Sequence, residues 1–485
     1  MSLRDAASRG VKLTAFATLS TTILQVGGLF ILGRLLLPTD FGLVAMMAVV
    51  FGFAEMFAQM GVGDGIVQHQ NSLSSDQLST LFWTNCALGV AAYLLVLLSV
   101  PLLVAVYGEP ALGDLIPIAS IPIVIAPLGI NVAALLRKSL RFDVLAAVDI
   151  GKAVVGTGTA VVGAVLGWGV WALIAGQVSA AVCGTAALLA VGARQGWLPR
   201  CRYDPRGVRS ILSFGIYFFG SNVVNYVNSR IDQLLVGSLL GARDLGYYSM
   251  AFNLAVQPAA RINQIITQVA FPIMARAQKD KTQLHRWYSK MLNMLATVNA
   301  PMLLGMAAVA SLFVPLLLGE KWSPAVPLVQ ILAVLALFRS AGNAGGTLIY
   351  ALGKARFALQ WNLGLLLLIP ATVLLGAHIY GLPGVALGLT AMQAILLLSW
   401  YAVVRHYLSV PFGDYALPFV RPTVLALGMA IAVSYAEEFL RAWPAPGILA
   451  ALISGAVVAY VVLYRLVFRT EFDEYVSMIF GASPR

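Results

Sequence analysis

Charge is scarce: Asp, Glu, Lys and Arg make up 11% of the 485 residues, while 60% are hydrophobic. A soluble domain carries roughly 25% charged residues, so this chain cannot cover its apolar interior with polar surface in water. Cysteine is nearly absent. Cys86, Cys183 and Cys201 show neither a pairing pattern nor metal-ligand spacing, which excludes a disulfide framework and a zinc site. The four histidines, His69, His285, His378 and His406, are scattered in or near loops and form no metal cluster. There is no P-loop to bind a nucleotide and no HExxH metal-binding helix. No polar loop is large enough to hold a catalytic domain. The basic start "MSLRDAASRGVKLTAF" runs into an apolar span too long for a signal peptide, with no small-residue cleavage site, and reads as an uncleaved first helix.

What is present is a series of long apolar stretches. Each is long enough for the roughly 20 residues that a transmembrane helix needs, and none has the alternation of a lipid-facing β-barrel. Fourteen spans are expected, near 12–36, 41–66, 80–106, 112–135, 145–167, 169–192, 210–239, 245–275, 288–317, 325–351, 357–379, 382–404, 421–438 and 446–466. The fold class is therefore an all-α polytopic membrane protein. The 31 Lys and Arg residues sort strongly by side. Arg34, Arg243, Lys321 and Arg441 fall on one side, and Arg230, Arg261 and Arg339 fall inside spans. Every other basic residue, Lys152 among them, falls in segments on the N-terminal side. The positive-inside rule then places both termini in the cytoplasm. It also explains the net charge of +11 as topology, with no nucleic-acid partner required.

The chain repeats itself. "GRLLLPTDFG" (33–42) returns as "GSLLGARDLG" (237–246), with Gly33, Leu35, Leu36, Asp40, Gly42 and Met46 matched 204 residues later. Gly108-Glu109 recurs at Gly319-Glu320, Arg141-Phe142 at Arg356-Phe357, and Gly169-Val170 at Gly384-Val385. The slow drift in spacing is what small insertions in duplicated halves produce. The expected organisation is a six-helix lobe over 1–192, a basic cytoplasmic linker over 193–209, a second six-helix lobe over 210–405, and two extra helices with a short tail over 406–485. Both lobes start from the same side, so the repeat is parallel. The repeated turns join the first two helices of each lobe, with Asp40 and Asp244 read as helix caps. In the polar stretch "NSLSSDQLST" (71–80), Ser and Asp are likewise read as caps. The tail "TEFDEYVSMIFGASPR" reads as an amphipathic surface segment.

Polar residues facing lipid are costly, so polar rows on spans point to an interior or a watery cavity. Thr14, Thr18, Thr21 and Gln25 share one face of the first span. The threonines there are more simply read as bonded to the backbone, which leaves Gln25 as the informative member. Ser221, Asn225, Asn228 and Asp232 share a face of the seventh span. Asn253, Gln257, Arg261, Gln264 and Gln268 share a face of the eighth. Glu55 and Gln59 lie on the second span, and Arg339, Asn343 and Thr347 on the tenth. A guanidinium among amides suits an anionic, hydroxyl-rich ligand such as a sugar diphosphate. The alternative is that Arg261 pairs with Glu55 or Asp232 and only joins helices. Arg230, two residues from Asp232, points to another face. Arg339 is either a cavity residue or one that reaches the membrane interface. The membrane-buried carboxylates Asp232 and Glu55 are the candidates for an ion-coupling site.

Several stretches resemble the WzxC-type lipopolysaccharide biosynthesis transporters of the multidrug/oligosaccharidyl-lipid/polysaccharide flippase superfamily. They include "MGVGDGIVQHQNSLSSDQLSTLFWTN" (60–85), "RKSLRFDVLAAVDI" (137–150), "LLVGSLLGARDLGYYSMAFNLAVQP" (234–258) and "LLGEKWSPAVPLVQILA" (317–333). The resemblance covers roughly residues 10–405. It implies two six-helix lobes around a V-shaped central cavity that opens alternately to each side, with a basic cavity lining. It implies a transporter, not an enzyme, whose cargo is an undecaprenyl-diphosphate-linked oligosaccharide moved from the cytoplasmic to the periplasmic leaflet of the bacterial inner membrane, for exopolysaccharide or lipopolysaccharide assembly. No cofactor is expected beyond an H+ or Na+ gradient. The expected partners are membrane lipid and a polysaccharide polymerase with its export machinery, around a monomer. On this reading Arg261, Gln257, Gln264, Gln268, Asn225, Asn228, Arg230, Arg339, Asn343 and Gln25 contact cargo, and Asp232 and Glu55 couple the ion. The rivals are a multidrug or cation antiporter on the same scaffold, a membrane polymerase or glycosyltransferase, and a peptidoglycan-precursor flippase.

Overall fold

A computed structural model describes residues 3–59, 62–68, 73–197, 199–200, 208–440, 444–469 and 471–473, with the side chains at 3–12, 15, 64 and 209–222 outside that description. Every regular element among the described residues is helical. Lipid offers no hydrogen bonds, so a spanning backbone must satisfy its own, and the helix does so within one segment. In order, the helices are α1 (Leu3–Leu35), α2 (Pro38–Gln59), α3 (Val62–Gln68), α4 (Ser75–Tyr107), α5 (Leu112–Ala119), α6 (Pro122–Ile125), α7 (Pro127–Lys138) and α8 (Phe142–Val165). They continue with α9 (Val170–Arg194), α10 (Arg209–Arg276), α11 (Lys281–Leu318), α12 (Val326–Ala351), α13 (Ala355–Leu408), α14 (Phe412–Phe439) and α15 (Ala445–Val467). Among the described residues, 11 helices are long and apolar enough to cross a membrane.

Helix ends follow local chemistry. Before α4, the Ser74 hydroxyl accepts from Gln77 N–H at 3.2 Å and the Gln77 amide oxygen accepts from Ser74 N–H at 2.9 Å, a reciprocal capping box. Gly108 ends α4 in the left-handed region (φ 67°), as a helix-terminating glycine does. Asp280 caps α11 by accepting from the N–H groups of Thr282 and Gln283. Asp40 accepts from Leu37 N–H at 2.8 Å, in keeping with its reading as a cap. Pro122 and Pro127 each open a new segment and break the stretch from Leu112 to Lys138 into α5, α6 and α7.

Two elements are too long for a single crossing. The 68 residues of α10 would extend about 100 Å at 1.5 Å per residue, against a hydrocarbon core of about 30 Å. Each long element is bent where a glycine relieves the helix. Gly241 (φ 83°, ψ 179°) interrupts α10, and Gly381 (φ 61°, ψ −142°) follows Tyr380 in α13.

The chain forms two compact units, Met1–Gly246 and Tyr247–Arg485. The division falls at the kinked turn of α10, so the first half of that helix packs with the N-terminal unit. In the first unit α8 packs on α1 and α9, and α2 on α4. The α8–α9 contact is a near backbone-to-backbone approach. A Cβ on Gly176 would lie 2.7 Å from the Gly156 carbonyl oxygen, and one on Gly156 would lie 3.0 Å from the Gly176 carbonyl. The linker is tied down at Arg200, whose N–H donates to Ser79 Oγ at 2.8 Å and whose carbonyl accepts from Trp83 Nε1 at 3.1 Å. In the second unit α11 packs on α12 and α14, and α12 on α13. Met274, Leu295, Leu348 and Val404 form part of its core. The final pair, α14 and α15, is integral to this unit. Val433 and Leu452 pack with Val309 of α11, and Tyr464 Oη donates to Asn293 Oδ1 at 3.1 Å. Large apolar side chains such as Leu98, Leu367 and Ile379 point outward, which is where lipid replaces water as the surrounding medium.

Candidate functional site

In the first unit, the expected site residues lie on α1, α2 and the first half of α10, and the first half of α10 bonds to α2. Tyr226 of α10 donates through Oη to the Val49 carbonyl at 2.6 Å, and the Ala48 carbonyl lies at 3.2 Å. Its ring covers Gly52, where a Cβ would lie 2.9 Å from ring carbon Cε2. The phenol lies within the electrostatic reach of both Arg230 and Glu55. Glu55 is exposed on α2, not buried as expected, and it lies within the electrostatic reach of Lys152 of α8. The Lys152 stem lies against α9, since a Cβ on Gly184 would meet Lys152 Cγ at 2.6 Å. Lys152 was counted above with the loop cations. In fact it lies inside α8, about 15 Å along from the start of the helix, and its charge acts on a carboxylate rather than marking a loop.

The remaining expected residues of this unit sit as follows. Arg230 Nη1 donates to Gln233 Oε1 at 3.0 Å, one turn along the same helix. Asp232 is buried, and its Oδ1 accepts from Gln233 N–H at 2.8 Å. Asn225 is exposed and Asn228 half-buried. Gln25 is exposed on α1, while Thr21 donates to the Ala17 carbonyl at 2.8 Å. The side chain of Ser221 lies outside the described residues.

The second half of α10 has two polar faces, where the sequence reading found one. Gln257 is half-buried, and Arg261, Gln264 and Gln268 are exposed, as are Ile265 and Val269. This is the face that the core of the second unit leaves uncovered. Roughly 200° around the helix, two residues on from Arg261, Asn263 points inward. Its Oδ1 accepts from Asn299 Nδ2 of α11 at 2.9 Å, and its Nδ2 donates to Ser340 Oγ of α12 at 3.0 Å. A turn farther on, Thr267 donates to Asn343 Oδ1 at 2.8 Å. Asn343, expected to face cargo, is thus engaged in joining α10 to α12. Arg339, on the same helix, is exposed. Asn263, Asn299 and Ser340 are all buried and were missed. Asn263 and Ser340 sit directly beside Gln264 and Arg339 but on another face, and Asn299 is a single amide in an apolar run. An isolated amide in mid-span was the signal available, because lipid makes it expensive.

These bonds make a stability prediction. Asn263→Leu leaves both Asn299 Nδ2 and Ser340 Oγ without their partner, whereas Thr267→Val removes a single bond. A lost buried partner costs about 1–3 kcal/mol in general and about 0.6 kcal/mol on average between membrane helices. Thermal unfolding in detergent should therefore show a larger fall for Asn263→Leu. A variant that melts at or above the parental temperature would rule out the amide row as a stabilising element.

Comparison with known proteins gives a consistent family. The polysaccharide biosynthesis protein family matches residues 31–327. The chain is 31% identical over 439 residues to lipopolysaccharide biosynthesis protein WzxC of Escherichia coli (strain K12), covering 90% of this chain and 88% of the relative. It is 31% identical over 422 residues to teichuronic acid biosynthesis protein TuaB of Bacillus subtilis (strain 168), covering 87% of each. Among solved structures, the lipid II flippase MurJ in an inward closed conformation superposes with a TM-score of 0.69 at 12% identity, over 94% of this chain and 99% of that one. At that identity the likeness is one of fold.

Proposed function

The chain belongs to the polysaccharide biosynthesis protein family, and from that membership we propose that it is a transporter that flips undecaprenyl-diphosphate-linked oligosaccharide from the cytoplasmic to the periplasmic leaflet by alternating access. The observation that carries the reading is the uncovered face of α10 bearing Arg261, Gln264 and Gln268. An arginine at the centre of a bilayer costs about 2.5–3.5 kcal/mol on the insertion scale. A polar face of this kind is compatible with a membrane only where it meets water or a polar ligand. A diphosphate offers the oxygens that a guanidinium binds through two parallel hydrogen bonds, and amides suit sugar hydroxyls.

Several finer assignments belong to the same reading. The bent elements α10 and α13 each count as two crossings, which brings the total to fourteen in two six-helix lobes plus α14 and α15. The basic loops place both termini in the cytoplasm. Gln257, Asn225, Asn228, Arg230, Arg339 and Gln25 line the cargo path, and Glu55 and Asp232 couple an H+ or Na+ gradient. Asn343, whose Oδ1 accepts from Thr267, lines that path with its remaining amide hydrogens. The protein acts as a monomer that hands its product to polymerase and export machinery. Two relatives are named for different polymers, lipopolysaccharide and teichuronic acid, so family membership leaves the sugar open.

The test is complementation in a strain that lacks its own lipid-linked oligosaccharide flippase and carries the matching glycosyltransferases. Expression of this chain should restore surface polysaccharide and clear lipid-linked oligosaccharide from the inner leaflet. Continued accumulation of that intermediate, together with a change in drug susceptibility, would replace this reading with that of an antiporter.

A further inference from the structure

The two repeated turns touch each other, and they do so symmetrically. Gly42 lies one turn into α2, and a Cβ there would overlap the carbonyl oxygen of Ala242 and lie 2.6 Å from its carbonyl carbon. Gly246 lies one turn past the Gly241 kink, and a Cβ there would overlap the carbonyl oxygen of Pro38 and lie 2.7 Å from its carbonyl carbon. The residue pairs are equivalent under the sequence repeat: Gly42 and Gly246 are 204 residues apart, and so are Pro38 and Ala242. Each turn therefore presents the carbonyl at its helix start to the glycine of the other. Helices come this close only where small residues permit it, with Cα–H groups against carbonyl oxygens. Met46 and Leu245, both buried, pack beside Gly237 at the start of the second turn, where a Cβ would lie 3.4 Å and 3.0 Å from them. Gly237, the repeat mate of Gly33, gives way to the Tyr107 ring, which would lie 2.9 Å from a Cβ there.

We propose that these turns form a two-fold backbone clasp, with Gly42 and Gly246 as its two points of contact, which closes the chain on the side opposite its basic loops and parts once in each transport cycle. The points of contact themselves are glycine against carbonyl, with no side chain between them. The clasp is held by close backbone contact and a small apolar seal, and such a contact is lost outright on a small separation. That suits a closure which must open repeatedly. The inference rests on the transport reading only for the statement that it parts during the cycle; the closure itself stands on the contact.

The test uses the full chain in membranes, with Cys86, Cys183 and Cys201 replaced by Ser. Met46→Cys, 1% exposed beneath the clasp, reports opening through a membrane-impermeant thiol reagent. Gly42→Ala with Gly246→Ala should raise its labelling rate about tenfold or more, since the added methyls cannot be seated against backbone. Gly27→Ala, which meets nothing within 4 Å, should leave the rate unchanged. A second variant adds no bulk at the contact. Thr39→Cys with Arg243→Cys, at equivalent positions of the two turns, is bridged by a bifunctional thiol linker. The bridged protein should stop exporting polysaccharide and recover on reduction. Unchanged labelling of Met46→Cys in the double alanine variant overturns the clasp, whatever happens to export. Undiminished export by the bridged protein overturns its parting in the cycle. Failure of the unmodified chain to restore any polysaccharide counts against the transport reading instead, and the labelling result still decides the clasp.

Discussion

Arg261→Ala should abolish or nearly abolish polysaccharide export while the protein reaches the membrane in parental amounts. Arg261 lies on the face of α10 that the core of its unit leaves uncovered, so the substitution removes no packing from that core. It also relieves an insertion cost, which is why normal membrane levels are expected. A hydrogen bond to a charged group contributes about 1.5–3 kcal/mol, which corresponds to roughly 10–100-fold in cargo affinity or rate. Arg261→Lys keeps the charge but loses the planar fork, so it should fall between parent and alanine. Gln264→Ala should cost less than either, because it removes neutral hydrogen bonds. Export is measured as surface polysaccharide at matched protein levels. Parental export from Arg261→Ala would remove this residue from the cargo path. Equal losses for the Ala and Lys variants would point to the fork geometry rather than the charge.

Glu55→Gln should uncouple transport from the ion gradient. Glu55 lies on α2 with Lys152 as its charged neighbour, and the Tyr226 phenol lies within reach of its field. A single proton or Na+ moving down about 100 mV supplies about 2.3 kcal/mol, roughly 50-fold in cargo distribution. Loss of the coupling carboxylate should forfeit most of that factor while cargo still binds. The measurement is flipping in proteoliposomes with and without an imposed gradient. The charge swap Glu55→Lys with Lys152→Glu separates two roles. It keeps one charge of each sign at the two positions, so it should recover protein levels lost in Glu55→Lys alone. It moves the carboxylate to another helix, so gradient-driven export should stay low. A Glu55→Gln protein that responds fully to the gradient would end the coupling role. A swap that restores full gradient response would make the pair a structural one.

The helices were legible because their signal is cumulative. Some 20 consecutive apolar residues outweigh any single exception, so each expected span overlaps an observed helix, although the span 41–66 covers both α2 and α3 and α14 begins nine residues before its expected start at 421. The repeated turn was legible for the same reason, since it is a match over many positions. The polar rows were legible only as rows. The spacing of Gln257, Arg261, Gln264 and Gln268 gives one face of α10, but it does not say which face the rest of the unit covers. Asn263 and Thr267 occupy the opposite face of the same helix and are the ones that bond to α11 and α12. Lys152 shows the same limit. Its charge alone makes it look like a loop cation, and only the folded chain sets its stem against Gly184 of α9 and its charge within reach of Glu55.

By itself the sequence determined the medium, the class of fold and the existence of two matching turns. Each of these follows from the composition and order of residues along one chain. The tertiary structure decided which polar residues are spent on holding helices together, and that the two turns meet glycine to carbonyl. Those facts depend on distances between residues as far apart as Gly42 and Ala242. A glycine signals that a side chain is missing, but only the folded backbone shows what has moved into the space.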